Sequence, residues 1–368
     1  MLAMKPTLFL LSLFLPHIMS GASFLPLPGL TQPSAVSDTG AVAGSTSADA
    51  FRWNPLTGYT NLGFVDSPGY GTNHSTGVGG ISGDGSFIVG SSTTYSTNGF
   101  FQRSQAFIWT LSTGIQPLGD TTLRESGATA LSASGQVAAG SIFTDSSSQY
   151  AVMWTGGIET LRLARGTSAG AVSHNGLWLG GTDATTPGVD AFLWSQATGF
   201  ELLGSLGAGS DTVNAVTDDG SIAVGQGGNY TPFRWTRSGG IESLGLLATG
   251  DSGYATDMSA DGSIVVGAFS DAGAFIWTPQ AGLRSLQDVL TTDYSLNLSG
   301  WSLRGATGIS ADGSTIVGYG IHNGSYEGFV ASVPEPSSVL LLLAGAGLIL
   351  SRRTLRTHER SGGSVGAA

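Results

Sequence analysis

An all-β chain folded as a seven-bladed β-propeller is the architecture this sequence predicts. Three observations carry that reading. Glycine supplies 58 of 368 residues, while only 11% of residues are charged, against ordinary shares of about 7% and about 25%. A hairpin-turn phrase returns seven times along the chain. An aromatic run ending in Trp follows each of the first six copies.

Composition excludes the competing classes. A coiled coil or long helical bundle needs far more Glu, Lys and Arg. Hydrophobic residues at 40%, with 8 Trp, 9 Tyr and 16 Phe, are too many for a disordered chain. The glycines keep no three-residue period, so collagen is excluded. The net charge of -11 and a single lysine, Lys5, leave no basic stripe for nucleic acid. Cysteine is absent, which removes disulfides, cysteine-based zinc sites and a thiol nucleophile. It suits an exported protein that never relies on oxidative folding.

Taken in order, the chain opens on Lys5, an apolar run at 8–15 and the small residues Ser20, Gly21 and Ala22. That is the layout of a secretory signal, with cleavage expected between Ala22 and Ser23 and a signal peptide of 1–22. Pro16 and Gly21 argue against a buried helix there.

The turn phrases are AVSDTGAVAG at 35–44, GISGDGSFIVG at 80–90, ALSASGQVAAG at 130–140, AVSHNGLWLGG at 171–181, AVTDDGSIAVG at 215–225, DMSADGSIVVG at 257–267 and GISADGSTIVG at 308–318. D-G, S-G and N-G steps between apolar runs are hairpin chemistry. The aromatic runs end at Trp53, Trp109, Trp154, Trp194, Trp235 and Trp277, and the seventh is a degenerate Gly-Phe-Val-Ala around Phe329. An apolar-x-x-Leu run follows each Trp, from Tyr59/Leu62 through Leu283/Leu286. Each unit thus offers four short strands.

Residues 23–332 divide by seven into units of about 44 residues, the size of a propeller blade. The seventh apolar-x-x-Leu run is missing after Phe329 and stands instead at Phe24–Leu27, at the other end of the domain. An N-terminal strand completing the last blade closes a ring and leaves no sheet edge unpaired. An open β-solenoid is the alternative, but it has no reason to begin and end within a repeat. One stretch departs from the pattern: 286–292, LQDVLTT, places Leu286, Val289 and Leu290 on one helical face, with Trp301 expected to pack nearby.

After the domain comes Val333-Pro334-Glu335-Pro336, an uncharged apolar run at 339–350, then Arg352, Arg353, Arg356 and Arg360. Twelve helical residues span about 18 Å, short of the ~30 Å hydrocarbon core. The basic flank is expected to stay cytoplasmic, with the preceding domain outside. A short span ahead of a basic stop reads as a processing signal.

Pro334, Glu335, Pro336, the apolar run and Arg352-Arg353 resemble the PEP-CTERM sorting signal of Gram-negative bacteria. The resemblance implies recognition and cutting by an exosortase-like enzyme, a transient anchor in the inner membrane through the hydrophobic helix of a C-terminal sorting signal at 333–368, and then a place at the cell surface or in the extracellular matrix beside exopolysaccharide. The repeat phrases resemble extracellular repeats named for a His-Ala-Phe motif (HAF repeats). Here the residues before Ala-Phe are Asp49, Gln105, Asp190 and Gly273, so any role of that histidine is not carried over.

The residues with chemical potential each have a plainer reading. The turn slot before Gly holds Thr39, Asp84, Ser134, Asn175, Asp219, Asp261 and Asp312. Thr, Ser and Asn suit a turn as well as Asp does, whereas calcium needs clustered oxygens. The six repeat tryptophans sit at equal positions, which favours packing between blades over sugar stacking. Tyr70, Tyr95, Phe100, Phe101, Tyr230, Tyr254 and Tyr326 fall in less regular segments and are the better ligand candidates. His74, His174 and His322 lie in separate repeats without metal-ligand spacing. Gly166-Thr167-Ser168-Ala169-Gly170 matches a nucleophile pattern that requires a strand-to-helix elbow, and none is predicted there.

No catalytic, cofactor-binding or metal residue is therefore assigned. The expected protein is an exported, non-catalytic surface or matrix propeller, binding or structural, associated with exopolysaccharide. The alternatives are a secreted carbohydrate-active enzyme on the same scaffold and an envelope protein-interaction module.

Overall fold

The computed structural model describes residues 21–333 other than 47, 48, 68, 72, 186 and 187. The strands are β1 (Ser23–Leu27), β2 (Gln32–Val36), β3 (Val42–Ser45), β4 (Ala50–Asn54), β5 (Gly58–Gly63), β6 (Asn73–Ile81), β7 (Phe87–Tyr95), β8 (Phe101–Thr110), β9 (Gly114–Pro117), β10 (Glu125–Leu131), β11 (Val137–Phe143), β12 (Gln149–Thr155), β13 (Ile158–Arg165) and β14 (Thr167–Val172). They continue as β15 (Trp178–Asp183), β16 (Asp190–Ser195), β17 (Gly199–Leu202), β18 (Thr212–Val216), β19 (Ile222–Gly227), β20 (Thr231–Thr236), β21 (Gly240–Ser243), β22 (Gly253–Met258), β23 (Val265–Phe269), β24 (Gly273–Thr278), β25 (Gly282–Ser285), β26 (Trp301–Ile309), β27 (Thr315–His322) and β28 (Ser325–Ser332).

Consecutive strands pair as antiparallel meanders. Four sheets are β2–β5, β14–β17, β18–β21 and β22–β25. The meanders β6–β9 and β10–β13 join into one larger sheet through a single parallel pair, Glu125 with Ser104. In the remaining sheet β1 leaves the head of the chain to lie beside β28, from Ser23 against Ser332 to Leu27 against Gly328. The strand expected to complete the last unit does so. Phe24 stacks on Phe329 with ring centroids 5.2 Å apart and meets Trp301 edge-on at 5.0 Å, and Leu27 is buried.

The repeated turn phrases form the hairpins between the first and second strand of each meander. Their glycines, from Gly40 to Gly313, all have φ between +64° and +79°, a region that only glycine occupies at little cost. The repeated Ser or Thr two residues before the turn slot is buried in every copy and knits the loop. The Ser82 hydroxyl donates to Asp84 Oδ1 at 2.7 Å and accepts the Phe87 amide at 2.9 Å. Thr217, Ser259 and Ser310 do the same around Asp219, Asp261 and Asp312.

Cores lie between neighbouring sheets. Trp109, for example, packs with Ala41 and Ala43 of the preceding meander. Trp154 and Trp235 are likewise buried, and Trp53, Trp194 and Trp277 are half-buried against three other clusters between sheets. The departing stretch begins as a helical turn, Leu286–Asp288, capped by the Ser285 hydroxyl, and widens into a π-helical turn at Val289–Asp293. Leu286 and Leu290 pack with Trp301, whose carbonyl accepts from Gln287 Nε2 at 3.0 Å.

Candidate functional site

The first strand of every meander, β2, β6, β10, β14, β18, β22 and β26, carries a β-bulge at the same place: Ser34, Gly79, Thr129, Gly170, Asn214, Thr256 and Thr307. A bulge turns its extra residue out of the ladder, and in four of the seven that residue donates to the next sheet. Thr129 Oγ1 donates to the Ala169 carbonyl (2.9 Å), Asn214 Nδ2 to Ala255 (2.7 Å), Thr256 Oγ1 to Ala306 (2.8 Å) and Thr307 Oγ1 to Pro33 (2.7 Å). At Gly79 and Gly170 a Cβ would collide with the carbonyls of Ala128 and Val213, so glycine is the residue that fits.

A second belt runs through the hairpin turns. The amide of Asp38 donates to the Gly83 carbonyl, Gly83 to Ala133 and Ala133 to His174, each at 2.9 Å. The Asn175 amide donates to Asp218 Oδ1 at 2.7 Å, Ala260 to the Ala311 carbonyl at 2.9 Å, and Ala311 to Asp38 Oδ1 at 3.0 Å. These bonds gather the hairpin turns on one face, the turn face. The opposite, loop face holds the connections between meanders and the turns between second and third strands.

The bulged strands enclose a channel of about 640 Å³. Its wall is mostly glycine, alanine, small hydroxyl and aliphatic side chains, and Asp38, His174, Asn214, Tyr254 and Asp257 are the other residues that line it. Asp257 follows the bulge, where the other strands hold Ala35, Gly80, Ala130, Ala171, Ala215 and Gly308. Its Oδ1 accepts the Met258 amide at 2.8 Å and its Oδ2 the Ile309 amide of the next sheet at 3.0 Å. Burial pushes its pKa up to about 6, against the pull of those two amides and of His174. Sequence reasoning missed Asp257; the sign was an acid in a slot that six other repeats fill with Ala or Gly.

The turn acids behave as turn residues. Asp219 accepts from the Thr217 hydroxyl and the Ser221 amide, and these bonds with the Ser221 hydroxyl hold its pKa down to about 2. Asp84 is lowered in the same way by Ser86 and Ser82. Among the described residues no group of three His, Asp or Glu side chains converges as a metal site would require.

The three domain histidines are not brought together. His74 stacks on Phe64 at 3.8 Å, His322 pairs with Glu327 at 2.7 Å and stacks on Trp301 at 4.6 Å, and His174 lines the channel. The 166–170 motif runs into strand β14, with no elbow.

All seven irregular aromatics fall on one face. Tyr70, Tyr95, Phe100, Phe101, Tyr230, Tyr254 and Tyr326 lie at strand ends or connections of the loop face, and Tyr254 reaches the channel. Arg103 sits over Tyr70 at 5.3 Å and Arg124 over Phe101 at 5.1 Å. Tyr319 lies close to Tyr254 and Tyr326, and burial together with those two neighbours raises its pKa. Of the expected processing residues, Ser23 opens β1 with Ala22 just before it. Pro334, Glu335, Pro336, Arg352 and Arg353 lie outside the described residues.

No family model and no curated protein matches the chain. Solved structures do. A chain in the crystal structure of the mitotic checkpoint complex aligns with a TM-score of 0.53 at 14% identity, covering 90% of this chain and 100% of that one. The β-propeller domain of Myceliophteria thermophila Cps50 (Swd1) aligns with a TM-score of 0.51 at 12% identity, covering 85% of this chain and 99% of that one. The chain is a β-propeller. At these identities the likeness carries the fold alone, and the propeller's chemistry has to be read from its own residues.

Proposed function

We propose that this protein is an exported, non-catalytic propeller of seven blades that works as a binding scaffold at the cell surface or in the extracellular matrix. The observation that carries the reading is that the seven irregular aromatics all fall on the loop face, where Tyr254 borders the channel. Aromatic rings with arginine and amide neighbours suit the apolar faces and hydroxyls of sugar rings. The channel wall, built largely of small and aliphatic residues, offers Asp257 with both oxygens already engaged. The secretory signal and the sorting motif add the route: export, cutting by an exosortase-like enzyme, and retention beside exopolysaccharide.

Affinity electrophoresis of the purified chain through gels containing extracellular polysaccharide tests this. The wild-type chain is expected to be retarded, and Phe100→Ala with Tyr326→Ala to migrate freely. Equal mobility with and without polysaccharide overturns the glycan reading. Release of reducing ends would point to the carbohydrate-active enzyme instead. A protein-interaction module is the second reading, favoured by the likeness to a chain from a multiprotein assembly; retention of envelope proteins on the immobilised chain, lost in the same double variant, would support it.

A further inference from the structure

Ser23 and Ser332 are register partners at the ends of β1 and β28, and the Val333 amide bonds to the Ser314 carbonyl in the last hairpin turn. Both flanks of the domain therefore leave from the turn face. They leave where the other sheets have the turn between third and fourth strand. Those turns, at 55–57, 111–113, 156–157, 196–198, 237–239 and 279–281, contain no acid and one base, Arg237. Leu56 is 94% exposed, Leu111 80% and Ile158 71%; beside them on the same face Leu177 is 64% exposed. These aliphatic side chains belong to four successive meanders. Of the exposed aromatics, Tyr70, Phe100, Tyr230, Tyr254 and Tyr326 are on the opposite face, while Tyr59 and Phe200 begin fourth strands just past the outer turns.

We propose that the turn face docks on a lipid surface, with Leu56, Leu111, Ile158 and Leu177 entering the headgroup region and the aromatic face held away from the membrane. The proposal rests on the reading of 339–350 as a membrane-directed segment and concerns the chain before the sorting cut. Residues 334–338 between the domain and that segment span at most about 20 Å when extended, which keeps the turn face at the bilayer. The outer turns, charged only at Arg237, lose little on entering the interface, and exposed aliphatic side chains gain there. The hairpin-turn acids sit nearer the channel, Asp84, Asp219, Asp261 and Asp312 hydrogen-bonded within their own loops and Asp38 and Asp218 to neighbouring ones.

The absence of cysteine allows single labels to be placed freely. Full-length chain carrying Leu56→Cys, Leu111→Cys, Phe100→Cys or Tyr326→Cys is labelled with a fluorophore, reconstituted into phosphatidylcholine vesicles, and quenched by nitroxide-bearing lipid. All four positions are exposed, and an unchanged melting temperature verifies each variant. Quenching at 56 and 111 is expected to exceed that at 100 and 326 at least twofold. Equal or reversed quenching in a chain that floats with vesicles overturns the docking and leaves the membrane segment standing. A chain that does not float overturns both. Shielding of positions 56 and 111 without vesicles, growing with protein concentration, would assign the face to a second copy of this chain and overturn the lipid assignment.

Discussion

The Thr307 hydroxyl donates to the carbonyl of Pro33 at 2.7 Å, across 274 positions of sequence. The same bond joins Thr256 to Ala306 and Thr129 to Ala169 between sheets that follow one another in the chain. The last inner strand therefore treats the first as its ordinary successor. An open solenoid would leave the Pro33 carbonyl and the Thr307 hydroxyl at opposite ends.

Thr307→Val keeps the shape and removes the donor. It is expected to destabilise the domain by about 1 kcal/mol, the usual worth of one hydrogen bond. Gly170→Ala should cost more, about 1–3 kcal/mol, because the new Cβ meets the Val213 carbonyl and the sheets must part. Urea unfolding of both variants checks the order.

Deleting residues 23–28 should destabilise the domain severely. Leu27 is buried and Phe24 packs on Phe329 and Trp301, each worth roughly 1.5–3 kcal/mol when fully buried, against a total of about 5–15 kcal/mol for a typical domain. The loss also bares an edge of β28, inviting aggregation. Moving the segment to follow Ser332 should restore the melting temperature. A truncated domain that melts with the intact one would refute strand closure.

Asp257 should make acid stabilising over a defined window. Its folded pKa of about 6 lies above the ordinary 3.8, so the folded state holds the proton where the unfolded state has released it. Its contribution to stability therefore falls as pH rises from about 4 to about 6, and the penalty persists above that. Asp257→Asn removes the slope. The test is the difference in unfolding free energy between the two proteins at pH 4 and pH 7. The wild-type chain is expected to lose ground to the variant as pH rises, whatever constant offset the lost Met258 acceptor adds.

Asp219 should act with the opposite sign. Its pKa is depressed to about 2, so its contribution is in full force above about 4 and fades as pH falls toward 2. Asp219→Ala is expected to cost about 1 kcal/mol at pH 7 through the lost turn bonds, with the deficit shrinking below pH 3. Thermal melts across that range measure it.

Much of this was legible in the residues. The seven D-G-type phrases marked the hairpins because a positive φ next to the strand demands glycine. The displaced Phe24–Leu27 run marked closure, because a four-strand unit lacking one run must find it elsewhere. The 286–292 stretch showed its helical face. The bulges were not legible. Ser34, Gly79, Thr129, Gly170, Asn214, Thr256 and Thr307 mix glycine, hydroxyl and amide side chains, and at all but Ser34 what each meets is a carbonyl of the neighbouring sheet. Nor was the convergence of the loop aromatics readable from spacing. Positions as distant as Tyr70 and Tyr326 meet on one face only because every inner strand runs the same way across the ring.

The pairing of β1 with β28 also sets a timetable. The first strand to be synthesised is the one whose partner comes last, with about 300 residues between Leu27 and Gly328. At roughly 5–20 residues per second, Ser23–Leu27 waits some 15–60 s with its ladder groups unanswered. The interior sheets can form as they emerge, but the final one cannot. The ring therefore locks only once translation has passed residue 332, and a chain halted earlier carries two open edges at once.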